Sequence, residues 1–242
     1  MTENKFFKVF GNKPILAMIH LSGGLPVNRA LDEITIFEEE GIDGIIVENY
    51  HGNLSDVEKT LKQIQKLGTK LVIGVNILPN EYKDAFRYTS VYGGKFIQID
   101  HVAGKYTRGE IDPVQYPTHK EKNSEIIVLG GIWPKYYMPL EGSNLEYDLK
   151  LGMQRAEAIV VTGEGTGKET PLEKIEEFRR TLGNHPLIVG AGLTPENVYE
   201  QLSIADCGIV GSSLKHENQT YNAVDRIKVM DFMQAVKEIR EH

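Results

Sequence analysis

"PLIVGAGLTPENVYEQLSIADCGIVGSSLK" (186–215) carries one local pattern twice. In "LIVGAG" (187–192) and again in "DCGIVGS" (206–212), an apolar β-branched run enters a glycine-bearing turn. Between them, 194–203 reads as a helix, with Pro195 near its start, where a missing N–H costs little. The runs are apolar almost throughout, as expected of parallel strands covered on both faces. Two parallel strands joined through a helix form one βαβ crossover.

The same alternation extends outward over nearly the whole chain. "ILAMIH" (15–20), "DGIIVEN" (43–49), "KLVIGVN" (70–76), "KFIQID" (95–100), "EIIVLGGI" (125–132) and "EAIVVTG" (157–163) bring the strand candidates to eight. Helical patterns occupy 28–40, 54–67, 80–92, 144–155, 171–182 and 225–240; Leu54, Val57, Leu61, Ile64 and Leu67 mark one buried face. Eight strands with regular crossovers in 242 residues predict the α/β class and a single-domain (β/α)8 TIM barrel over 1–242, with a doubly wound open sheet as the competing topology. "HVAGKYTRGEIDPVQYPTHKEKNS" (101–124) breaks the rhythm and is expected to be a lid or an inserted helix after the fourth strand.

Bulk properties narrow the function. Asp and Glu outnumber Lys and Arg by 34 to 27, a formal net charge of -7, which argues against a nucleic-acid partner. No apolar run approaches the ~20 residues of a membrane span, so no membrane insertion is expected. "MTENKFFKVFGNKP" has no apolar signal core, and Cys207 is the only cysteine; both fit a reducing cytoplasm. No HExxH, Cys/His cluster or nucleophile elbow is present, so neither a dedicated zinc site nor a Ser-His-Asp triad is expected.

"VVTGEGTGKETP" (160–171) looks at first like a nucleotide-binding P-loop. It fails at two defining positions: Glu169 replaces the Ser or Thr that would hold magnesium, and Thr162 replaces the first glycine. It reads better as the sixth strand, its βα-loop and the next helix start, with Thr162, Gly163 and Thr166 toward the mouth.

In a barrel of this kind, reactive groups gather at the C-terminal strand ends. His20 ends the first candidate strand, Glu48 and Asn49 the second, Asn76 the third, and Asp100 and His101 the fourth; Lys135 follows the fifth. Any one of these could merely cap a helix or satisfy backbone; as a set they predict a shared polar mouth. Gly190, Gly192, Gly211 and Ser212 form the candidate phosphate cradle, since loops after the seventh and eighth strands bind phosphate through backbone N–H groups. Gly192 has the alternative role of a tight turn before a Thr194 N-cap. Glu48 and Asp100 are the acid/base candidates, two carboxylates whose proton affinities a closed mouth can separate. The same oxygens suit a divalent cation such as Mg, and ion pairs with Lys135 or Lys215 are the structural alternative. His20 is either a proton carrier or a hydrogen-bonded structural histidine.

Taken together, "ILAMIHLSGGLP", "GIDGIIVENYHG", "LVIGVNILPN", "AEAIVVTGEGTG", the 186–215 stretch and "NAVDRIKVMDF" resemble the BtpA/SgcQ family over nearly the whole chain, apart from 101–124. The resemblance implies a ribulose-phosphate-binding barrel. It departs from the family at Asp100, where Asn is common, at Lys135–Tyr136, where Lys-His is frequent, and at "LSGGLP", where an "LPLPG"-like turn is usual. The family name comes from photosystem I biogenesis, and other members resemble products of sugar-utilisation operons.

The expected function is a cytoplasmic enzyme acting on a small phosphorylated sugar or phosphoribosyl-type substrate by isomerisation, cleavage or hydrolysis. Glu48 and Asp100 would move protons, with Lys135 or His20 stabilising negative charge. Asn49, Asn76, Thr162, Gly163 and Thr166 would complete the substrate contacts. Phosphoribosylanthranilate isomerase activity is not expected, because "ILAMIH" lacks that reaction's cysteine base. The alternatives are a non-catalytic assembly factor and a nucleosidase or nucleotidase using a metal on Glu48, Asp100 and Asn76. A homo-oligomer is expected, as is common for barrels.

Overall fold

Each of the eight apolar runs forms a short strand, and the eight close on themselves in sequence order. The computed structural model describes residues 4–241. Its strands are β1 (Ile15–Ile19), β2 (Gly44–Glu48), β3 (Val72–Asn76), β4 (Phe96–Ile99), β5 (Ile127–Gly131), β6 (Ala158–Val161), β7 (Leu187–Val189) and β8 (Cys207–Val210). All neighbours pair in parallel, and the β1–β8 ladder, with Leu16 opposite Ile209, completes the closed barrel. The open-sheet alternative is thereby ruled out.

Strand periodicity sorts the side chains into two shells. Leu16, Met18, Ile46, Phe96, Leu129, Val160, Ile188 and Ile209 fill the barrel interior. Their neighbours Ala17, Ile45, Val47, Ile97, Val128, Ile159 and Val189 pack outward against the helices. This double burial is why the strands read as unbroken apolar runs.

The surrounding helices are α1 (Lys5–Phe10), α2 (Pro26–Glu39), α3 (Leu54–Leu67), α4 (Tyr82–Tyr92), α5 (Gln115–Lys122), α6 (Leu145–Arg155), α7 (Leu172–Leu182), α8 (Val198–Ile204) and α9 (Arg226–Glu241). α3 is the most fully specified locally. Asn53 and Asp56 form a reciprocal capping box at its start, and Gly68 ends it in the left-handed conformation. α8 starts later than the expected 194. Asn197 accepts from the Thr194 N–H at 2.8 Å and donates to the Gly192 carbonyl at 2.9 Å, making a turn first. Thr194 is therefore not the N-cap.

α1 was not anticipated from sequence. Asn4 caps it by accepting from the Phe6 N–H at 2.9 Å, and Phe6 and Phe10 join the interior cluster. Phe10 meets Phe96 edge-on, ring centroids 5.3 Å apart, so the helix stoppers the N-terminal end of the barrel. The segment 101–124 divides in two. Its first part folds against the loop after β5, where Tyr106 bridges to both Gly109 and Pro139; its second part contains α5. The Tyr116 hydroxyl of α5 donates to the Arg155 carbonyl at 2.7 Å, anchoring it as an ordinary crossover helix. Among the described residues no helix is long and apolar enough to cross a membrane.

Candidate functional site

The inward rows of the barrel change from apolar to polar as they reach the C-terminal strand ends. Met18 is followed by His20, Ile46 by Glu48, Phe96 by Gln98 and Asp100, and Val160 by Thr162. Glu48 and Asn76 are register partners on β2 and β3. These groups surround a cavity of about 220 Å³ at the mouth, walled elsewhere by Tyr50, Arg108, Lys135, Tyr136 and Tyr137 and by residues 190–193 and 211–213.

Glu48 lies at the bottom of this mouth and is buried. The Asn76 Nδ2 donates to Glu48 Oε1 at 2.6 Å. Burial raises the Glu48 pKa to about 8, and the nearby Asp100 charge adds to the rise; Lys135 and the Asn76 hydrogen bond oppose it. Asp100 is also raised by burial, but more groups restrain it. The Tyr137 hydroxyl donates to its Oδ2 at 2.8 Å, and Lys135, the Asn76 amide and Arg108 favour its ionised form. Burial thus raises both carboxyls, Glu48 to about 8, while Asp100 has more hydrogen-bonding and cationic partners that favour its charged form. His20 is buried and held well below the ordinary imidazole range by burial and by the charge of Lys215, so it is neutral here.

Lys135 is positioned from its backbone, whose N–H donates to Thr162 Oγ1 at 2.8 Å. The Lys174 ammonium of α7 donates to the Thr162 carbonyl at 2.8 Å and to the Trp133 carbonyl at 3.2 Å, tying together the loops after β5 and β6. The glycine-rich loop 163–168 crosses the mouth. Thr166 accepts from the Tyr136 hydroxyl at 3.1 Å, donates its N–H to the same oxygen at 2.9 Å, and lies 3.3 Å from the Tyr50 hydroxyl.

Of the expected site residues, Glu48, Asp100, His20, Lys135, Asn76, Thr162, Thr166, Gly190, Gly192, Gly211 and Ser212 line the one cavity. Two do not. Asn49 turns aside, accepting from the Leu78 N–H at 2.8 Å and donating to the Leu78 carbonyl at 3.3 Å, so it braces the loop after β3. Gly163 packs against the Glu169 carbonyl, leaving no space for a side chain, and does not reach the cavity. The role of Gly190 changes as well: its N–H is committed to the Val161 carbonyl at 2.8 Å and is not a donor to a ligand. Gly192 keeps a special backbone, φ +74°, and approaches Lys168 and Glu169 so closely that a Cβ would sit 2.3 Å from backbone atoms. The structural alternative for the carboxylates fails at Lys215, whose ammonium pairs with buried Glu33 at 3.1 Å.

Tyr137, Arg108, Gln98, Tyr50 and Ser213 line the cavity without having been expected there. The "KYYM" run after β5 was the available signal for Tyr137. Arg108 arrives from the 101–109 segment, stacked 5.7 Å from the Tyr137 ring centroid. Among the described residues, no group of three or more His, Cys, Asp or Glu is placed to hold a metal ion. Glu48, Asp100 and Asn76, the residues expected to hold one, all line the cavity.

The fold is a closed (β/α)8 barrel, and it is shared with solved structures of other proteins. Phosphoribosyl anthranilate isomerase from Thermus thermophilus superposes with a TM-score of 0.66 at 14% identity, covering 94% of this chain and 100% of that one. The native KDPGal structure gives 0.65 at 15%, covering 95% and 97%. The chain belongs to the BtpA family, whose model matches residues 11–238. Relatives include the photosystem I biogenesis protein BtpA of Synechocystis, 26% identical over 94% of this chain and 89% of that protein. The putative sgc region protein SgcQ of Escherichia coli is 24% identical over 94% and 96%.

Proposed function

We propose that the protein is an enzyme that moves a proton along the carbon chain of a phosphorylated sugar or phosphoribosyl-type substrate, an isomerisation. The observation carrying this reading is the Glu48–Asp100 pair, two carboxyls in one desolvated mouth, of which Glu48 is pushed up to about 8 and Asp100 has the partners that favour its charged form. Isomerisation needs both at once. Asp100 removes a proton from the carbon beside a carbonyl, and Glu48 delivers its proton to the carbonyl oxygen. The reverse transfers, displaced by one carbon, then complete the shift, and both carboxyls regain their starting states. Lys135 stands near both and would stabilise charge developing on that oxygen.

The phosphate end would lie against Gly192, Leu193 and Gly211 to Ser213, on the wall formed by the loops after β7 and β8. The shared fold with phosphoribosyl anthranilate isomerase makes phosphoribosyl compounds the first class to test. That particular reaction's cysteine base has no counterpart in the cavity, since Cys207 is buried in the interior cluster below the mouth.

Thermal-shift measurements against pentose phosphates, hexose phosphates and phosphoribosyl compounds, with and without magnesium, should raise Tm for at least one of them. That ligand should then incorporate deuterium from heavy water at a carbon-bound position. Asp100→Asn should abolish the exchange while leaving the thermal shift in place. Stabilisation without any exchange in the wild type would remove isomerisation and favour hydrolysis or cleavage.

A second reading, a non-catalytic assembly factor, rests on the relative from Synechocystis and on one surface. Tyr136, Met138 and Leu140 are 53%, 70% and 45% exposed on a single loop, apolar area that a partner protein would cover. Charge substitutions at Met138 and Leu140 that abolish a cellular phenotype while sparing ligand binding would favour it.

A further inference from the structure

We infer that the substrate carries, beside its reacting carbonyl, a neutral pair of vicinal hydroxyls recognised by Asn76 and Gln98. The inference rests on the sugar-phosphate reading above and adds to it the chemistry of the end remote from phosphate.

The β3–β4 register pairs Gly74 with Phe96 and Val75 with Ile97, which places Asn76 beside Gln98 on the adjacent strand. Both line the mouth cavity. The Asn76 Nδ2 is used by Glu48, which leaves its Oδ1 facing away from that bond. Asn76 Oδ1 and Gln98 Oε1 are both buried, and neither has a hydrogen-bond partner among the described residues. Asn76 itself is 1% exposed. The two acceptors therefore belong to residues on neighbouring strands, whose backbones run ~4.8 Å apart, one step below Asp100 in the inward row of β4.

A buried amide oxygen accepts and never donates, so the group that meets it must bring a hydrogen. Phosphate, carboxylate and carbonyl are acceptors near neutral pH and would be repelled at this position. An ammonium would satisfy the oxygens but would be opposed by the Lys135 and Arg108 charges at the same mouth. Hydroxyls donate without carrying charge, and two on adjacent carbons can reach two adjacent acceptors. His20 Nδ1 is also buried and unpartnered, but an imidazole nitrogen donates or accepts with its tautomer and discriminates nothing. The acceptor pair also sets the direction of binding, with phosphate toward the loops after β7 and β8 and hydroxyls toward β3 and β4.

Gln98 is thus a specificity-determining residue, and it can be tested apart from the acid/base pair. Binding of ribose 5-phosphate, 2-deoxyribose 5-phosphate and unphosphorylated ribitol is measured by calorimetry for the wild type, Gln98→Leu and Gln98→Glu. The wild type should bind ribose 5-phosphate at least about tenfold more tightly than the deoxy sugar. Gln98→Leu, which keeps size and loses the acceptor, should reduce that ratio to less than about threefold. Gln98→Glu, which keeps an acceptor, should preserve the preference and guards against a leucine variant that fails to fold. Equal wild-type affinity for the two phosphates overturns the inference while leaving the phosphate reading intact. Ribitol binding that depends on Gln98, with no gain from phosphate, supports the diol and sinks the phosphate reading. Binding of none of the three overturns both.

Discussion

Glu48 and the buried histidines give the molecule opposing responses to pH. In the unfolded chain Glu48 releases its proton near the ordinary 4.5, whereas in the folded protein it does so at about 8. Between those values the native state holds a proton that the unfolded state has lost, so stability falls as pH rises. The expected slope is at most about 1.4 kcal/mol per pH unit from this group, and Glu48→Gln should flatten it in denaturant titrations. His101 acts in the other direction. Burial lowers it from 6.5 to about 4, so the unfolded state takes up the proton first and stability falls as pH drops through that window. His101→Asn should remove part of the acid limb. On the isomerase reading the alkaline limb of catalysis should follow Glu48: turnover is expected to decline as pH passes about 8, because the proton donor is then lost. A pH–rate profile flat from neutrality through that value would remove Glu48 as the acid. At this scale the sequence was a partial guide. Glu48, Asp100 and Asn76 were visible because they end strands, whereas Gln98 lies inside one, between Ile97 and Ile99, and looked like an ordinary strand residue.

The loops differ in how firmly they are held. The segment between β8 and α9 is fastened by a buried ion pair, Lys215 with Glu33, whose Oε1 also receives the Val224 N–H at 3.3 Å. Burial raises the Glu33 pKa and lowers that of Lys215, while each charge favours the other's ionised form. Lys215→Met alone should strand a buried carboxyl and cost about 3–5 kcal/mol, whereas Lys215→Met with Glu33→Leu should recover most of that loss. Denaturant midpoints of the singles and the double variant measure this. Loop 163–168 is tied to the mouth through Tyr136 and packs its last residue on the Gly192 backbone. Tyr136→Phe removes the oxygen that Thr166 uses twice, so amide exchange in 163–168 should accelerate with little change in Tm. The eight strands and most helices were legible because doubly covered strands and amphipathic helices have distinct apolar periods. α1 was missed because six residues before the first strand carry too short a pattern. Residues 101–114 were missed in detail because Tyr106 and Arg108 act through contacts distant in sequence.

The whole barrel is asymmetric from end to end. Below the mouth its interior is filled by apolar side chains, and α1 seals the lower opening with Phe6 and Phe10. Phe10→Ala should cost about 3–5 kcal/mol, readable as a lowered Tm, without altering which ligands stabilise the protein. Loss of ligand discrimination together with stability would mean that the plug shapes the site as well as the core. The closed topology was expected from sequence; the plug was not, because nothing local distinguishes a helix that covers a barrel end from one that flanks it.

Gly74 and Phe96 also join the plug to the barrel wall. A Cβ at residue 74 would lie 2.2 Å from the Phe96 ring, so the absence of a side chain gives that ring its seat across the barrel, where it meets Phe10 of α1. Among apolar strand residues Met18 and Ile209 line the mouth cavity, which does not reach Phe96. Gly74→Ala should therefore unseat the plug and lower Tm while leaving the choice of ligand at the other end unchanged.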